Sequence, residues 1–217
     1  MEISEYFTDV AVVGAAGKMG CEIALLLAQE MAFLKISQPD KSYVLHLIDQ
    51  NQGAVDGLYR YLRSQAFKVA EKQISKLRAL YQDRQELVEN SEIIQEFVAT
   101  LLSLLRPGIC LESLEQSQLI FEAIVEEEKV KINLLKKLSG LCHKQSYFFT
   151  NASSFPIHVL AEKSGLKKRL IGFHFYNPPA VQKLAELILT EDTNKELRQL
   201  AEQLALRLKK KIVYSKQ

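Results

Sequence analysis

The sequence is poor in cysteine, and the three cysteines that it has are far apart. Cys21, Cys110 and Cys142 form no CxxC pair, and their number is odd. This pattern is typical of free thiols in a reducing compartment and argues against a disulfide framework or a zinc site. Glycine and proline are also scarce, at nine and five of 217 residues, while 47% of the residues are hydrophobic. Disordered, collagen-like and low-complexity classes are therefore excluded.

An excess of charge of either sign is missing as well. The 28 lysines and arginines face 26 acidic residues, which leaves a net charge of +2 and argues against nucleic-acid or membrane binding through overall charge. The start of the chain lacks the basic and apolar regions of a signal peptide. Lys18, Glu22 and Glu30 interrupt the most apolar stretch, residues 10–34, so no transmembrane helix is expected. We expect a cytoplasmic protein with neither a nucleic-acid nor a membrane partner.

Short apolar strands alternate with helical segments along the chain. A β-branched run at 10–13 leads through a glycine turn into a helix, and a second strand at 43–48 follows. Residues 53–105 are predicted to be helical almost throughout, until Arg106-Pro107-Gly108 ends them. Further strands are expected at 119–121, 147–150, 169–175, 184–189 and 212–214, and helices at 129–141 and 193–209. This order predicts an α/β fold with a doubly wound, mostly parallel sheet of Rossmann type and a helical insertion after the second strand.

The glycine turn is the first candidate binding element. Gly14, Gly17 and Gly20 give a GxxGxxG spacing, or AxGxxG counted from Ala15, where GxGxxG is usual. Glycines between a strand and a helix permit a sharp turn, and they let amides at the helix N-terminus approach a pyrophosphate. Asp49, after the second strand, can accept hydrogen bonds from ribose hydroxyls and would repel a 2′-phosphate, which favours NAD over NADP. The alternative is an ordinary turn with Asp49 capping the next helix, but the combination favours dinucleotide binding.

Polar side chains follow the later strands, at the edge of the sheet where doubly wound folds bind ligands. Glu126 and the segment Asn151-Ala152-Ser153-Ser154 follow two of these strands. His174 and Asn177 end the next strand, and Glu186 lies in the apolar segment after them. Such groups could converge on a bound cofactor.

Hydride transfer from an alcohol selects roles for three of these residues. An imidazole such as His174 can accept the hydroxyl proton, and a carboxylate such as Glu186 can orient it. The hydroxyl of Ser153 could hold the substrate oxygen. Each also has a plainer interpretation: a structural histidine, a surface glutamate, and a cap for the helix after Pro156. No GxSxG motif surrounds Ser153, which argues against a serine hydrolase.

Five motifs together resemble the NAD-binding domain of L-3-hydroxyacyl-CoA dehydrogenases. They are Phe121-Glu122-Ala123-Ile124-Val125-Glu126, Lys129-Val130-Lys131, Asn151-Ala152-Ser153-Ser154, Gly172-Phe173-His174-Phe175-Tyr176-Asn177-Pro178-Pro179 and Lys183-Leu184-Ala185-Glu186. Their order and gaps match the family over residues 117–190. Residues 10–49 are similar, with an altered glycine turn, so the resemblance covers most of the chain.

The resemblance implies a role for each matching residue. His174 would be the general base, Glu186 its carboxylate partner and Ser153 the ligand of the substrate 3-oxygen. The implied cofactor-binding residues are Gly14, Gly17, Met19, Gly20, Asp49, Glu126, Lys131 and Asn151. The implied substrate-binding residues are Ser153, Asn177 and, near the CoA phosphates, Lys72. The helices of residues 53–105 would correspond to the family's insertion, which helps to bind acyl-CoA.

The resemblance also implies an activity and an organisation. We expect NAD-dependent interconversion of (S)-3-hydroxyacyl-CoA and 3-oxoacyl-CoA, as in fatty-acid β-oxidation. Residues 1–217 would form one NAD-binding domain without the family's C-terminal helical domain, which carries the dimer interface, and a homodimer is one assembly to test. The chain departs from the family pattern with Gly-Ala-Ala-Gly for Gly-Ala-Gly and with Ala152 for a threonine. The alternatives are a non-catalytic NAD- or acyl-CoA-binding module and a dehydrogenase of a hydroxy acid without CoA.

Overall fold

Eight strands form one sheet in the computed structural model, which describes residues 3–216. In chain order they are β1 Asp9–Val13, β2 Val44–Ile48, β3 Leu105–Gly108, β4 Leu119–Glu122, β5 Tyr147–Thr150, β6 Leu170–Phe175, β7 Leu184–Leu189 and β8 Lys211–Lys216. Their spatial order is β3-β2-β1-β4-β5-β6-β7-β8. The first six are parallel, β7 is antiparallel to β6, and β8 runs parallel to β7. The predicted mostly parallel sheet of Rossmann type is therefore confirmed.

Helices cover both faces of this sheet. They are α1 Ile3–Tyr6, α2 Lys18–Ser37, α3 Gln52–Lys72, α4 Ile74–Leu80, α5 Asn90–Ser103, α6 Glu128–Leu141, α7 Ile157–Ser164 and α8 Lys195–Arg207, with a 3₁₀ turn at Leu111–Leu114. One apolar cluster packs α2, α3, α5 and α8 against one face, and a second packs α6 and α7 against the other. Among residues 3–216, none of the helices combines the length and the apolar character needed to cross a bilayer. The three cysteines are free thiols.

The helical insertion after β2 is more broken than the sequence pattern predicts. α3 begins where the Asn51 side chain accepts a hydrogen bond from the Ala54 amide, 3.1 Å away. Leu58, Leu62 and Ala66, four residues apart, then form its buried stripe. The chain leaves helical structure between α4 and α5, so the insertion is three helices rather than a nearly continuous one.

The prediction that residues 106–108 only end a helix is wrong. Leu105–Gly108 is β3, an edge strand that pairs with β2 in parallel, with Leu105 opposite Leu45. Pro107 has no amide hydrogen, and an edge strand tolerates this because one side of its backbone needs no partner. The strands at 119–121 and 147–150 are consequently the fourth and fifth in the chain.

The loop between β6 and β7 is held by hydrogen bonds to two residues outside it. The Lys210 ammonium, almost fully buried, donates hydrogen bonds to the carbonyl oxygens of Pro179 and Gln182, at 2.5 and 2.6 Å. The amide of Ala180 donates to a carboxylate oxygen of Glu22 on α2 at 2.9 Å. The chain therefore leaves β6 and enters β7 along a defined path at the carboxyl-end edge of the parallel strands.

Candidate active site

The turn between β1 and α2 requires glycine at two positions. Gly14 has a φ of +80°, and a Cβ there would lie 2.8 Å from the carbonyl carbon and oxygen of Ala123. A Cβ on Gly20 would lie 2.0 Å from the carbonyl oxygen of Gly14. The first glycine lets the turn approach the end of β4, and the second lets α2 pack directly under the turn.

The amino end of α2 faces the cleft beyond the strands without a side-chain cap. Gly17 is the residue before the helix, and within the described chain no side chain hydrogen-bonds to its first amides. Asp49 lies beside the turn, where one carboxylate oxygen accepts a hydrogen bond from the Ala16 amide at 3.0 Å. The alternative that Asp49 caps the next helix is wrong, because Asn51 caps α3.

A cavity of about 490 Å³ opens at this turn and has a mainly apolar wall. Gly14, Gly17 and Asp49 line one side of it. Ile109, Val125 and Val130 line it too, although they are 50%, 62% and 38% exposed. The sequence analysis gave these three residues no role; Ile109 and Val125 lie in the loops after β3 and β4, and Val130 lies in the first turn of α6. The cavity thus places an apolar wall next to a helix N-terminus.

A second cavity, of about 410 Å³, adjoins the first, and both are lined by Ala123 and Ile124. It gathers most of the other predicted residues, namely Met19, Glu126, Lys131, Asn151, Ser153, His174 and Asn177. Lys72, the exposed last residue of α3, is not among its lining residues. Ala152 is fully buried in the core and does not line the cavity.

His174 and Glu186 stand directly opposite each other on β6 and β7. The Nδ1 atom of His174 lies 3.1 Å from the Oε2 atom of Glu186, and the side chains are 21% and 22% exposed. The other carboxylate oxygen, Oε1, accepts a hydrogen bond from the hydroxyl of Ser215 on β8. That hydroxyl lowers the pKa of Glu186 most, burial opposes the shift, and His174 lowers the pKa further. The carboxylate therefore stays ionised beside the imidazole.

A second polar network joins β4, α6 and the segment after β5. The Oε1 atom of Glu126 accepts hydrogen bonds from the amides of Ser153 and Ser154, at 2.8 and 2.9 Å. The Nζ atom of Lys131 lies 3.2 Å from the Oε2 atom of Glu126 and 2.7 Å from Glu122. Burial alone would raise the pKa of Glu126, but the two amides and Lys131 together lower it. The network fixes the backbone at Ser153 and keeps Glu126 ionised.

Glu122 is a member of this network to which the sequence analysis gave no role. Its carboxylate is buried and also accepts hydrogen bonds from the Thr150 hydroxyl, at 2.5 Å, and the Ile124 amide, at 2.8 Å. An acidic residue that ends a strand of otherwise apolar residues is the pattern that could have identified it. Asn151 makes a separate link, because its side-chain oxygen accepts from the Phe175 amide on β6 at 2.9 Å.

The fold and the adjoining cavities define a nucleotide-binding α/β domain that carries a histidine–carboxylate pair. Comparison with known proteins narrows this class. Residues 9–217 match the family described as 3-hydroxyacyl-CoA dehydrogenase, NAD binding domain. The chain belongs to this family, so the predicted family and the predicted cofactor, NAD, are confirmed.

Individual relatives agree with the family match. Human mitochondrial hydroxyacyl-coenzyme A dehydrogenase is 30% identical over 188 residues, which are 86% of this chain and 52% of that protein. A probable 3-hydroxybutyryl-CoA dehydrogenase of Bacillus subtilis is 26% identical over 197 residues, covering 89% of this chain and 58% of that protein. This chain thus spans little more than half the length of these relatives.

Solved structures give the same result. The crystal structure of 3-hydroxybutyryl-CoA dehydrogenase from Escherichia coli K12 superposes with a TM-score of 0.72 at 25% identity. The match covers 97% of this chain and 38% of that one. The crystal structure of Mycobacterium tuberculosis FadB2 has a TM-score of 0.73 at 24% identity, with coverage of 97% and 64%, and supports the fold.

Proposed function

We propose that this domain binds NAD and carries out the oxidation of (S)-3-hydroxyacyl-CoA to 3-oxoacyl-CoA, with His174 as the general base. The observation that carries the proposal is the contact between His174 and Glu186 at a cavity that continues to the glycine turn. The acyl-CoA substrate is proposed because the human and Bacillus subtilis relatives are named for such substrates.

The residues around the turn suit a dinucleotide. The uncapped amino end of α2 offers amides and a positive dipole end to a diphosphate. Asp49 would accept hydrogen bonds from the adenosine ribose, as its position after β2 requires. The adenine ring would lie against the apolar wall that Ile109, Val125 and Val130 contribute to the first cavity. Glu126 and Lys131 would contact the nicotinamide end, in the cavity that also holds His174.

Bound NAD supplies a hydride acceptor, and the chain's own side chains handle the proton. Because Nδ1 of His174 faces the ionised carboxylate of Glu186, the Nδ1–H group would donate a hydrogen bond to it, and Nε2 would be the nitrogen that accepts the substrate's hydroxyl proton. The ionised Glu186 then stabilises the imidazolium that forms. Ser153 would hold the substrate oxygen, and Asn177 would contact the substrate from the same cavity.

The test is the replacement of His174 by alanine in a spectrophotometric assay of NADH-linked acetoacetyl-CoA reduction. We expect kcat to fall by about 10²–10⁴-fold, the usual contribution of a general base, while NADH affinity measured by calorimetry is retained. His158→Ala, on the exposed side of α7, is the matched control and should keep wild-type activity. Wild-type turnover by the His174→Ala variant would refute the role of His174.

The chain spans little more than half the length of these two relatives, so their activity is a proposal for this chain. One alternative is a non-catalytic NAD- or acyl-CoA-binding module. NADH binding by the wild-type chain with no turnover would favour it. Turnover of hydroxy acids but not of their CoA esters would instead favour a substrate without CoA. The β-oxidation role, a cytoplasmic location, a homodimer, a single domain over 1–217 and the contact of Lys72 with CoA stay predictions.

A further inference from the structure

The carboxylate of Glu186 is held from both sides by neighbouring strands. On one side its Oε2 atom faces Nδ1 of His174, on β6, at 3.1 Å. On the other side its Oε1 atom accepts a hydrogen bond from the hydroxyl of Ser215, on β8. β7 lies between these two strands, and Ser215 stands opposite Ile188, two residues beyond Glu186 on the same face of β7. The serine, the glutamate and the histidine thus form one hydrogen-bonded chain across three strands.

We propose that Ser215 is a positioning residue, which fixes the carboxylate of Glu186 in the orientation that supports His174 as proton acceptor. The inference rests on the function proposed above. It concerns a residue outside all of the motifs that carry the family resemblance, on the last strand of the sheet.

The exposure of Glu186 explains why a second contact matters. Its side chain is 22% exposed, so water could compete for the carboxylate and the side chain could leave the imidazole. A hydroxyl donor on Oε1 occupies the oxygen that His174 does not use and restricts rotation about the last bond of the side chain. The same hydrogen bond is the largest influence on the pKa of Glu186: it lowers the pKa, His174 lowers it further, and burial opposes the shift.

The other groups around the pair do not duplicate this contact. Tyr176, from the loop after β6, packs its ring 5.3 Å from the His174 ring. His174 is the titratable group that Glu186 contacts across the sheet. Tyr214, the neighbour of Ser215, donates its hydroxyl to Glu202 on α8 at 2.8 Å. The strand therefore offers a matched control, a second hydroxyl–glutamate hydrogen bond that does not lead to His174.

The experiment compares Ser215→Ala, Ser215→Thr and Tyr214→Phe in the full chain, with 3-hydroxybutyryl-CoA and NAD as substrates. For Ser215→Ala we expect kcat to fall about tenfold with KM nearly unchanged, the effect of losing one hydrogen bond to a charged group. Ser215→Thr keeps the hydroxyl and should restore kcat, and Tyr214→Phe should match the wild type.

Two further measurements separate positioning from a general structural effect. In a Glu186→Gln background, Ser215→Ala should cause no additional loss of kcat, because the two residues act in one chain. The carboxyl carbon of Glu186, followed by NMR, should titrate at a higher pH in Ser215→Ala than in the wild type. An unchanged kcat and an unchanged Glu186 titration for Ser215→Ala, or an equal loss of kcat in Tyr214→Phe, would overturn the inference while leaving the proposed function intact.

If the wild-type chain shows no turnover, the proposed function fails and the carboxyl titration decides about Ser215 alone. A Glu186 titration that does not respond to Ser215→Ala would then overturn the inference. A titration that moves to higher pH would support the positioning of the carboxylate by this serine.

Discussion

Replacing Lys131 with methionine should destabilise the protein far more than breaking an ion pair of the same length on its surface. The Nζ atom of Lys131 lies 2.7 Å from Glu122, and the two side chains are 1% and 0% exposed. Without the ammonium, the Glu122 carboxylate stays buried with hydrogen bonds from Thr150 and Ile124 but without a counter-charge. Removing one partner of a buried pair costs about 3–5 kcal/mol, and the two remaining bonds place our expectation at the lower end, about 3 kcal/mol.

The matched control is Lys163→Met. Its pair with Glu128 is also 2.7 Å long, but the side chains are 54% and 39% exposed, so the loss should be about 0–1 kcal/mol. Urea unfolding followed by circular dichroism gives both free energies of unfolding. Adding Glu122→Gln to Lys131→Met should recover part of the loss, because it removes the unpaired charge. Equal losses for Lys131→Met and Lys163→Met would refute the reasoning that burial decides the effect.

Two other predictions test the proposed dinucleotide site. Gly20→Ala should weaken NADH binding in calorimetry by about tenfold or more, because the new Cβ would lie 2.0 Å from a carbonyl oxygen of the turn. Gly57→Ala, where a Cβ meets nothing within 4 Å, is the control, and equal affinities for both variants would contradict the assignment. A thiol reagent should label exposed Cys110 first, since burial raises the pKa of the Cys142 thiol to about 11. NADH should slow the labelling of Cys110, whose two chain neighbours line the cavity at the glycine turn; unchanged labelling at saturating NADH would place the dinucleotide elsewhere.

The parts of the fold that follow from local pattern were predictable from the sequence. Strands such as β1 and β5 are buried on both faces, so they appear as short apolar runs between turn residues. β3 has only four residues, Leu-Arg-Pro-Gly, and two of them are exposed. Its strand conformation depends on pairing with β2, a long-range contact that its composition does not reveal.

Some residues of the candidate site could likewise be predicted from the sequence, and others could not. Residues that follow parallel strands, such as Glu126 and Ser153, could be placed together because the ends of those strands meet at one edge. Ile109 and Ser215 could not, because their positions depend on a loop path and on the pairing of β8 with β7. Lys72 is a different case: its role was inferred from the family resemblance alone, it does not line the cavity that contains His174, and its contact with CoA stays a prediction.

The reversed direction of β7 has a mechanical consequence for the pair at the site. A parallel strand delivers functional groups only where the chain leaves the sheet, but β7 enters the sheet there, and Glu186 lies within its ladder between β6 and β8. Backbone pairing with β6 and β8 therefore fixes the main chain at Glu186, and His174 lies in β6, the strand beside it. The separation of imidazole and carboxylate should therefore be the same with the cleft empty or filled.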